Sequence, residues 1–498
     1  MAERLINEVR IEQTRRELYG LREELEAWLA DRRGKDRFHQ YYSQLNTLDS
    51  VLSTAWDVLK SELQPITASR PTSDVYASCR GVDLGMAFLR RVWNYYRNKF
   101  DQRDDPDLRG VLAAADDIVW SCYAQGFRTL KIPHKTAPLP YIEPKYSPQA
   151  FTRNARPFEL QSDAPLLRQV IKEMPIPVVS LPPVCVDAPW WLIYLGHEVG
   201  HHVQVDLAEE LGTPEEFRER VEHAAATLRD PRFDEETAQK WGGWAQEIFA
   251  DAFSVCMMGQ WAVWAMTELE IDEERTMLKR KTRYPSPLVR LALLGRLADE
   301  LGGGAAGGKA VLRDYGLDPE QAVQSKEGSE TDPNGELRQL AAFDMKIMPK
   351  VTDAIISQPL ASKRIFQELW AWNAEDFAQK GKVNNWAQGL RGKADLFLET
   401  NLRASRLMVS SAAAAWVGVT AITDAGEREQ ERGKLAENTL KKVVESREEV
   451  TRAAGKAEVP PREAEDLGKR LGLRALGRGP EMTAGYTWGG DQEYALSD

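Results

Sequence analysis

The chain has 498 residues, of which 43% are hydrophobic and 28% charged, and its formal net charge is −11. This length and composition predict a globular protein with a packed core and more than one domain. The acidic balance argues against general nucleic-acid binding, which requires a basic face, so no nucleic-acid partner is expected.

The cysteine content and the N-terminus bear on the compartment. Four cysteines in a chain of this length do not make a disulfide framework, and no two of them are spaced as CxxC. A reducing environment fits this usage best. The first residues carry charges throughout and contain no apolar stretch of signal-peptide length. We therefore expect a cytoplasmic protein.

Residues 1–128 are predicted to form an N-terminal helical region. Within 5–63, apolar residues recur every three or four positions, as on the buried face of a helix in a bundle. A short coiled-coil surface for a protein partner is the alternative. A further helical stretch is predicted over 82–126. The repeating residues are Leu18, Leu21, Leu25 and Trp28.

Proline-rich segments interrupt the helical pattern after residue 128. The string PVVSL (177–181) is predicted to be a strand beside a cleft. Because prolines flank it on both sides, an edge position in the sheet is expected. A long apolar helix then follows, with Asp187 as its N-cap. Pro189 would lie in its first turn, where a missing N–H costs nothing.

Beyond this helix, a charged stretch at about 208–240 is interpreted as exposed helices or a lid, and 241–266 as a second apolar helix. The rest of the chain divides by composition into a Gly-rich linker (303–335), a C-terminal helical region (336–425) and a charged, partly disordered tail (426–498).

One apolar run, at residues 407–423, raises the question of membrane contact. The run is interrupted by serines and threonines and is shorter than a typical transmembrane helix. It is predicted to be a buried or partner-facing helix, and we expect no membrane contact.

The string HEVGH (197–201) carries the strongest chemical signal. His197 and His201 are four residues apart, so both lie on one helix face and can share one tetrahedral ion. Glu198 lies about 100° around the helix, near the ion but off the ligand face, where a general base belongs. Gly200 leaves room for close backbone packing. With six histidines in the chain, the number of chance HExxH matches is on the order of 0.01.

A third ligand is expected from the helix around WAQEIFADAF (244–253). Glu247 and Asp251 are four residues apart in an otherwise apolar helix, where carboxylates are costly unless they meet positive charge. We predict that Glu247 is the third ligand and that Asp251 accepts a hydrogen bond from the far nitrogen of a ligating histidine. A solvated acidic stripe is the alternative. Two histidines and a glutamate favour Zn²⁺.

HEVGH followed by EIFAD resembles the gluzincin division of zinc metallopeptidases, whose pattern is HExxH with a downstream ExxxD helix. The longer string HEVGHHVQ is also similar to the bacterial neutral zinc metallopeptidase family. The likeness covers roughly residues 187–260 and implies a zincin-like core (129–302) of active-site helices with a small edge sheet. With the helical regions predicted on both sides of it, the expected fold is mainly α. The likeness also implies the metal ligands His197, His201 and Glu247, the base Glu198 and the supporting Asp251.

The chain departs from that family in two respects. Members are commonly exported or membrane-anchored, whereas no signal is expected in this chain. The blocks before 130 and after 310 have no recognised counterpart. The family's substrates and biological roles therefore do not transfer to this chain.

Four further residues are candidates for a role at the site. His202 lies about 100° around the helix from His201, and it is expected to be a packing residue. His223, in a charged helix, is expected to be exposed, with an oxyanion-donor role as the alternative. Tyr284 could donate its phenolic proton to an oxyanion, and Arg290 could orient substrate or pair with an acid. The alternative for Arg290 is a purely structural ion pair.

The expected function is zinc-dependent metalloendopeptidase activity, with Glu198 taking a proton from the attacking water and passing it to the leaving amine. The substrate would be a protein or peptide extended along an edge strand, for which PVVSL is the candidate. The flanking helices could contact a regulatory protein partner. One alternative is a helical interaction or regulatory protein with a structural or inactive zinc site. Another is a membrane-acting effector that uses 407–423 under control of the peptidase.

Overall fold

The computed structural model describes residues 2–155, 157–160, 174–228, 234–302, 307–324, 332–360, 365–448 and 461–476. These residues are mainly helical and include a three-stranded sheet. Parts of the predicted linker (303–306 and 325–331) and of the predicted charged, partly disordered tail (449–460 and 477–498) lie outside them.

In chain order, the described α-helices are α1 (Ala2–Arg33), α2 (Tyr42–Leu63), α3 (Thr72–Asp101), α4 (Pro106–Leu130), α5 (Val184–Asp187), α6 (Leu195–Asp206), α7 (Ala208–Leu211), α8 (Pro214–Ala226), α9 (Asp234–Gly243), α10 (Ala245–Met258), α11 (Gln260–Glu270), α12 (Glu274–Leu278), α13 (Pro287–Gly302), α14 (Gly308–Asp314), α15 (Pro319–Ala322), α16 (Gly335–Ile356), α17 (Phe366–Leu369), α18 (Lys382–Leu390), α19 (Ala404–Thr420), α20 (Ala425–Glu445) and α21 (Pro461–Ala475).

A first hydrophobic core lies among α1, α2, α3 and α21. The apolar stripe that the sequence showed on α1 is buried in it. The stretch 5–63 is two helices rather than one, because α1 ends at Arg33 and a 3₁₀ turn (Asp36–Tyr41) precedes α2. α21 joins this bundle from the far end of the chain by packing along α2.

The stretch 82–126 also divides into two helices, α3 and α4. The side chain of Asp105 accepts a hydrogen bond from the amide of Asp107, and Pro106 occupies the first helical position of α4. An N-cap followed by proline starts a new helix because proline has no N–H that an earlier turn could use.

A second, larger core includes α4, α6, α10, α11, α13, α16 and α19. α19, which contains most of the apolar run 407–423, is buried in it against α4, α18 and α20. Among the described residues, no helix has both the length and the apolar character needed to cross a membrane.

The sheet consists of β1 (Leu139–Ile142), β2 (Gln149–Phe151) and β3 (Val178–Leu181), in the order β1-β3-β2. β3 is parallel to β1 and antiparallel to β2. The prediction that 177–181 is an edge strand was therefore wrong, since β3 lies in the middle. The flanking prolines stand outside the four paired residues, so every N–H of β3 stays available to the ladder.

The start of the histidine-bearing helix also differs from the prediction. α6 begins at Leu195, after α5 and a 3₁₀ segment (Pro189–Tyr194). Asp187 is therefore the last residue of α5 and not the N-cap of α6. Pro189 starts the 3₁₀ segment, after Ala188 leaves the helical conformation with φ −135° and ψ 71°.

The apolar stretch 241–266 is not one helix either. α9 ends at Gly243, and α10 is separated from α11 by Gly259, whose φ is 63°. A side chain at Gly259 would be strained in this left-handed conformation. Its Cβ would also lie 2.3 Å from the Phe377 ring. The break separates α10 from α11, which packs against α13 and α14.

We expect Gly468→Ala to lower the free energy of unfolding by about 1–3 kcal/mol, because the added methyl overpacks the contact between α21 and α2. A Cβ at Gly468 would lie 2.6 Å from the carbonyl oxygen of Val51 and 2.7 Å from Cβ of Thr54. Gly433→Ala in α20 is the matched control, since nothing lies within 4 Å of its Cβ position. Gly433→Ala should raise the free energy of unfolding by about 0.5–1 kcal/mol. Urea unfolding measures both, and equal effects would contradict the packing of α21 on α2.

Candidate metal centre

Two helices build the site and pack closely against each other: α6, hereafter the histidine helix, and α10, the acidic helix. The close approach depends on small residues. A Cβ at Gly200 would lie 2.9 Å from Cα of Ala250 and 3.2 Å from the Phe253 ring. Gly200 thus allows the close backbone packing predicted from the sequence.

Three side-chain atoms converge at this helix pair. Nε2 of His197 and Nε2 of His201 are 3.2 Å apart. Each lies 3.3 Å from Oε2 of Glu247. A tetrahedral zinc site with bonds of 2.0–2.1 Å has ligand atoms about 3.3 Å apart. The triangle therefore matches three corners of such a site.

The charges of this cluster favour a cation at its centre. Oε2 of Glu247 is buried and has no hydrogen-bond partner among the described residues. Nδ1 of His197 lies 2.9 Å from Oδ1 of Asp251. Assigning the His197 proton to Nδ1, so that it donates to Asp251, turns the lone pair of Nε2 toward Glu247 and His201. Lone pairs and a carboxylate that face one another require positive charge between them.

The pKa values of His197 and Glu247 are shifted in the directions that favour positive charge at the cluster. Burial alone would lower the pKa of His197, but the neighbouring Asp251 and Glu247 carboxylates raise it to about 10. Burial would raise the pKa of Glu247, yet His201 and His197 hold it well below its usual range. His197, His201 and Glu247 can therefore hold a metal ion.

Behind the cluster lies a chain of ion pairs in which Asp251, Arg290 and Glu270 are buried and Lys281 reaches the surface. Both oxygens of Asp251 accept hydrogen bonds from Arg290, each at 2.8 Å. Arg290 also donates to Glu270 over 2.9 Å, and Lys281 donates to Glu270 over 2.6 Å. Of the two roles predicted for Arg290, the structure places it in pairing with acids. Its guanidinium is 3% exposed, so it acts on Asp251 rather than from the surface.

Tyr284 lies against this network. Its ring centroid is 4.0 Å from Cζ of Arg290. Burial and the nearby Glu247 and Glu198 carboxylates raise the pKa of Tyr284, with Arg290 opposing. The phenol therefore keeps its proton at neutral pH and remains a hydrogen-bond donor near the cluster.

Glu198 lies beside the three ligand atoms and is not one of them. It is buried, and the backbone amide of Ala150 in β2 faces its carboxylate and favours the charged form. Burial raises the pKa of Glu198, with Glu247 adding to the increase and the two imidazoles His197 and His201 opposing it. A carboxylate with a raised pKa is a stronger base than an exposed one.

Two other histidines stay outside the cluster. His202 is 1% exposed, on the side of the histidine helix that faces Val178 of β3. Burial holds its pKa well below the usual value, so it is neutral and packs against the sheet. His223 is exposed on α8.

Two residues that complete the site carried no signal in the sequence. Ala150 contributes only its backbone amide, and Glu270 ends a helix with no ligand spacing to the other acids. Their roles arise from contacts between segments far apart in the chain, which no local periodicity encodes.

Comparisons of the chain with protein-family models, with curated proteins and with solved structures return no match. What the site can do is therefore inferred from its own geometry and charges.

We expect the protein to bind one zinc ion per chain and His201→Ala to lose it, because two ligands cannot complete the site. His223→Ala, at an exposed position, is the matched control and should retain the metal. His202→Gln should also retain it, although it alters packing against the sheet. Elemental analysis after dialysis measures metal content. Full retention in His201→Ala would contradict the assignment.

We expect Gly200→Ala to weaken zinc binding, by about 10–100-fold as for other losses of ligand support. The added methyl would push the histidine helix away from Ala250 and separate the histidines from Glu247. Gly81→Ala in α3, where nothing lies within 4 Å of the Cβ position, should leave the affinity unchanged. Competition with a chromogenic chelator measures both. Equal affinities would show that the site tolerates separation of the helices.

Proposed function

We propose that this protein is a zinc-dependent metalloendopeptidase with a zincin-like core, of the gluzincin type that HEVGH and EIFAD resemble. The observation that carries the proposal is the triangle of His197, His201 and Glu247, with Glu198 beside it. Two imidazoles and one carboxylate are the ligand set of catalytic zinc sites that keep a position open.

The metal and the protein residues have separate roles in the proposed reaction. When held by His197, His201 and Glu247, zinc polarises a scissile carbonyl and lowers the pKa of a water molecule toward 7. Glu198 accepts the proton of the attacking water at a carboxylate oxygen and delivers it to the leaving amine nitrogen. The amide of Ala150 faces the Glu198 carboxylate and favours its charged form, in which it can accept this proton.

Tyr284 and Arg290 support the reaction in different ways. Because Tyr284 keeps its phenolic proton, it can donate a hydrogen bond to the oxyanion that forms at the scissile carbonyl. Arg290 holds Asp251 by a bidentate hydrogen bond. Asp251 in turn fixes the ring orientation of His197.

The substrate we propose is an extended protein or peptide segment that pairs with β2. One edge of β2 is bonded to β3, and the amide of Ala150 faces Glu198. A polypeptide added along this side would lie next to the base and gain main-chain hydrogen bonds. β2 thus replaces 177–181 as the proposed substrate strand. A cytoplasmic location remains a prediction.

A purely structural zinc site fits this cluster less well. Structural zinc has four protein ligands in a closed shell, whereas three suitable residues converge among the described ones. His201 and Glu247 are 18% and 14% exposed, so solvent reaches one side of the triangle.

We expect Glu198→Gln to lower kcat on unfolded casein by about 10²–10⁴-fold, because it removes the proton acceptor, and to leave the zinc content unchanged. Glu209→Gln, an exposed acid on α7, is the matched control and should retain full activity. Release of casein fragments and elemental analysis measure the two quantities. Equal cleavage by both variants would contradict Glu198 as the base.

A further inference from the structure

A buried arginine outside the metal centre joins the sheet to the histidine helix. Arg153 follows β2 closely, and its side chain is 13% exposed. Nε donates to Oδ1 of Asp206 over 2.8 Å, and Nη1 donates to the carbonyl of Pro175 over 3.3 Å. Nη2 donates to the carbonyl of Thr136. One guanidinium therefore fixes three separate segments of the chain.

These acceptors mark one end of all three strands. Thr136 precedes β1, Pro175 precedes β3, and Arg153 itself follows β2. Since β2 runs antiparallel to the other two strands, its end and their starts lie at the same end of the sheet. The amide of Met174 also donates to the Arg153 carbonyl over 2.6 Å. Arg153 thus holds β2 in place relative to β1 and β3.

The carboxylate that Arg153 contacts is fixed from both sides. Asp206 is the last residue of the histidine helix and is 4% exposed. Its Oδ2 accepts a hydrogen bond from the Tyr123 hydroxyl of α4 over 2.6 Å. Burial, together with the charge of Asp206, raises the pKa of Tyr123 well above its usual value. The phenol therefore remains a donor, and both oxygens of Asp206 are engaged.

β2 packs against the histidine helix. The amide of Ala150 faces Glu198 near the start of the helix, and Arg153 donates to Asp206 at its end. Eight residues of α-helix span about 12 Å, and three residues of strand span about 10 Å. These two lengths match, so β2 and Arg153 run alongside the histidine helix from Glu198 to Asp206.

We propose that Arg153 is a positioning residue: by bonding Asp206 and the starts of β1 and β3, it aligns β2 with the histidine helix and so sets the position of β2 relative to Glu198. The effect on substrate rests on the proposed function, whereas the alignment of β2 does not. An extended polypeptide paired with β2 would shift with the strand. A misplacement of 1 Å can cost on the order of 10²-fold in rate.

Arg153 could instead be an ion pair that only adds stability. Buried ion pairs contribute little net stability, because the loss of hydration offsets their attraction. If Arg153 only stabilised the fold, replacing it would lower the amount of folded protein. The folded enzyme that remains would still discriminate between substrates as the wild type does. The two roles therefore differ in measurable ways.

The first test needs no catalysis. Arg153→Lys keeps the charge but cannot reproduce the donors of the guanidinium fork. We expect amide exchange in the peptide that contains β2 to accelerate by about tenfold or more through easier local opening. Hydrogen–deuterium exchange with mass spectrometry measures this in the full-length protein. Unchanged exchange at β2 would overturn the proposal.

Arg338→Lys is the matched control. Arg338 is 4% exposed and donates to Asp332, to Glu274 and to the carbonyl of Ala322. It resembles Arg153 in burial and acceptors but joins α12 to the start of α16. We expect the Arg338→Lys variant to lose thermal stability, whereas amide hydrogen exchange in β2 should stay at the wild-type rate.

The second test compares two substrates. One is the casein peptide that the wild type cleaves fastest, and the other is the same peptide without the residues that would pair with β2. In Arg153→Lys, the ratio of kcat/KM for the long peptide to that for the short one should fall about tenfold. The ratio is independent of how much enzyme is folded, and Arg338→Lys should keep the wild-type value.

The outcomes separate the two proposals. Faster exchange at β2 with an unchanged ratio would overturn the effect of Arg153 on substrate. Faster exchange in Arg153→Lys, together with a wild type that cleaves no casein despite bound zinc, would support the alignment by Arg153 and count against the proposed peptidase.

Discussion

Two carboxylates buried in one apolar helix set the charge balance on which the site depends. Glu247 and Asp251 lie on the acidic helix and cannot stay ionised there without positive partners. Arg290 neutralises Asp251 through two hydrogen bonds. Glu247 meets the two imidazoles of His197 and His201, which supply positive charge only by binding a proton or a metal ion. The cluster can therefore hold a metal ion between its ligand atoms.

Segments far from the motif hold this arrangement in place. The Trp190 ring, just before the histidine helix, stacks on Trp416 of α19 with centroids 4.3 Å apart. β2 and Arg153 fix the helix against the sheet. The histidine helix therefore packs against the sheet and the acidic helix, and the 3₁₀ segment before it packs against α19. The C-terminal region predicted from composition contributes to the same core as the site.

The sequence predicted the parts of the site that depend on helical periodicity. HEVGH and EIFAD each place two side chains on one face, and the structure brings these faces together. Other expectations were wrong because tertiary pairing decides them: 177–181 is a central strand, and Gly259 breaks a continuous apolar pattern through its left-handed backbone. The roles of Ala150 and Arg153 arise from contacts between distant segments, so no spacing in the sequence could reveal them.

We propose a three-ligand zinc site with one position open to small molecules. X-ray absorption at the zinc edge, recorded with and without a small hydroxamate, tests it most directly. We predict two imidazoles and one carboxylate at bond lengths of about 2.0–2.2 Å, and a fourth position that changes when the hydroxamate is added. Four protein ligands and a spectrum unaffected by hydroxamate would contradict the claim.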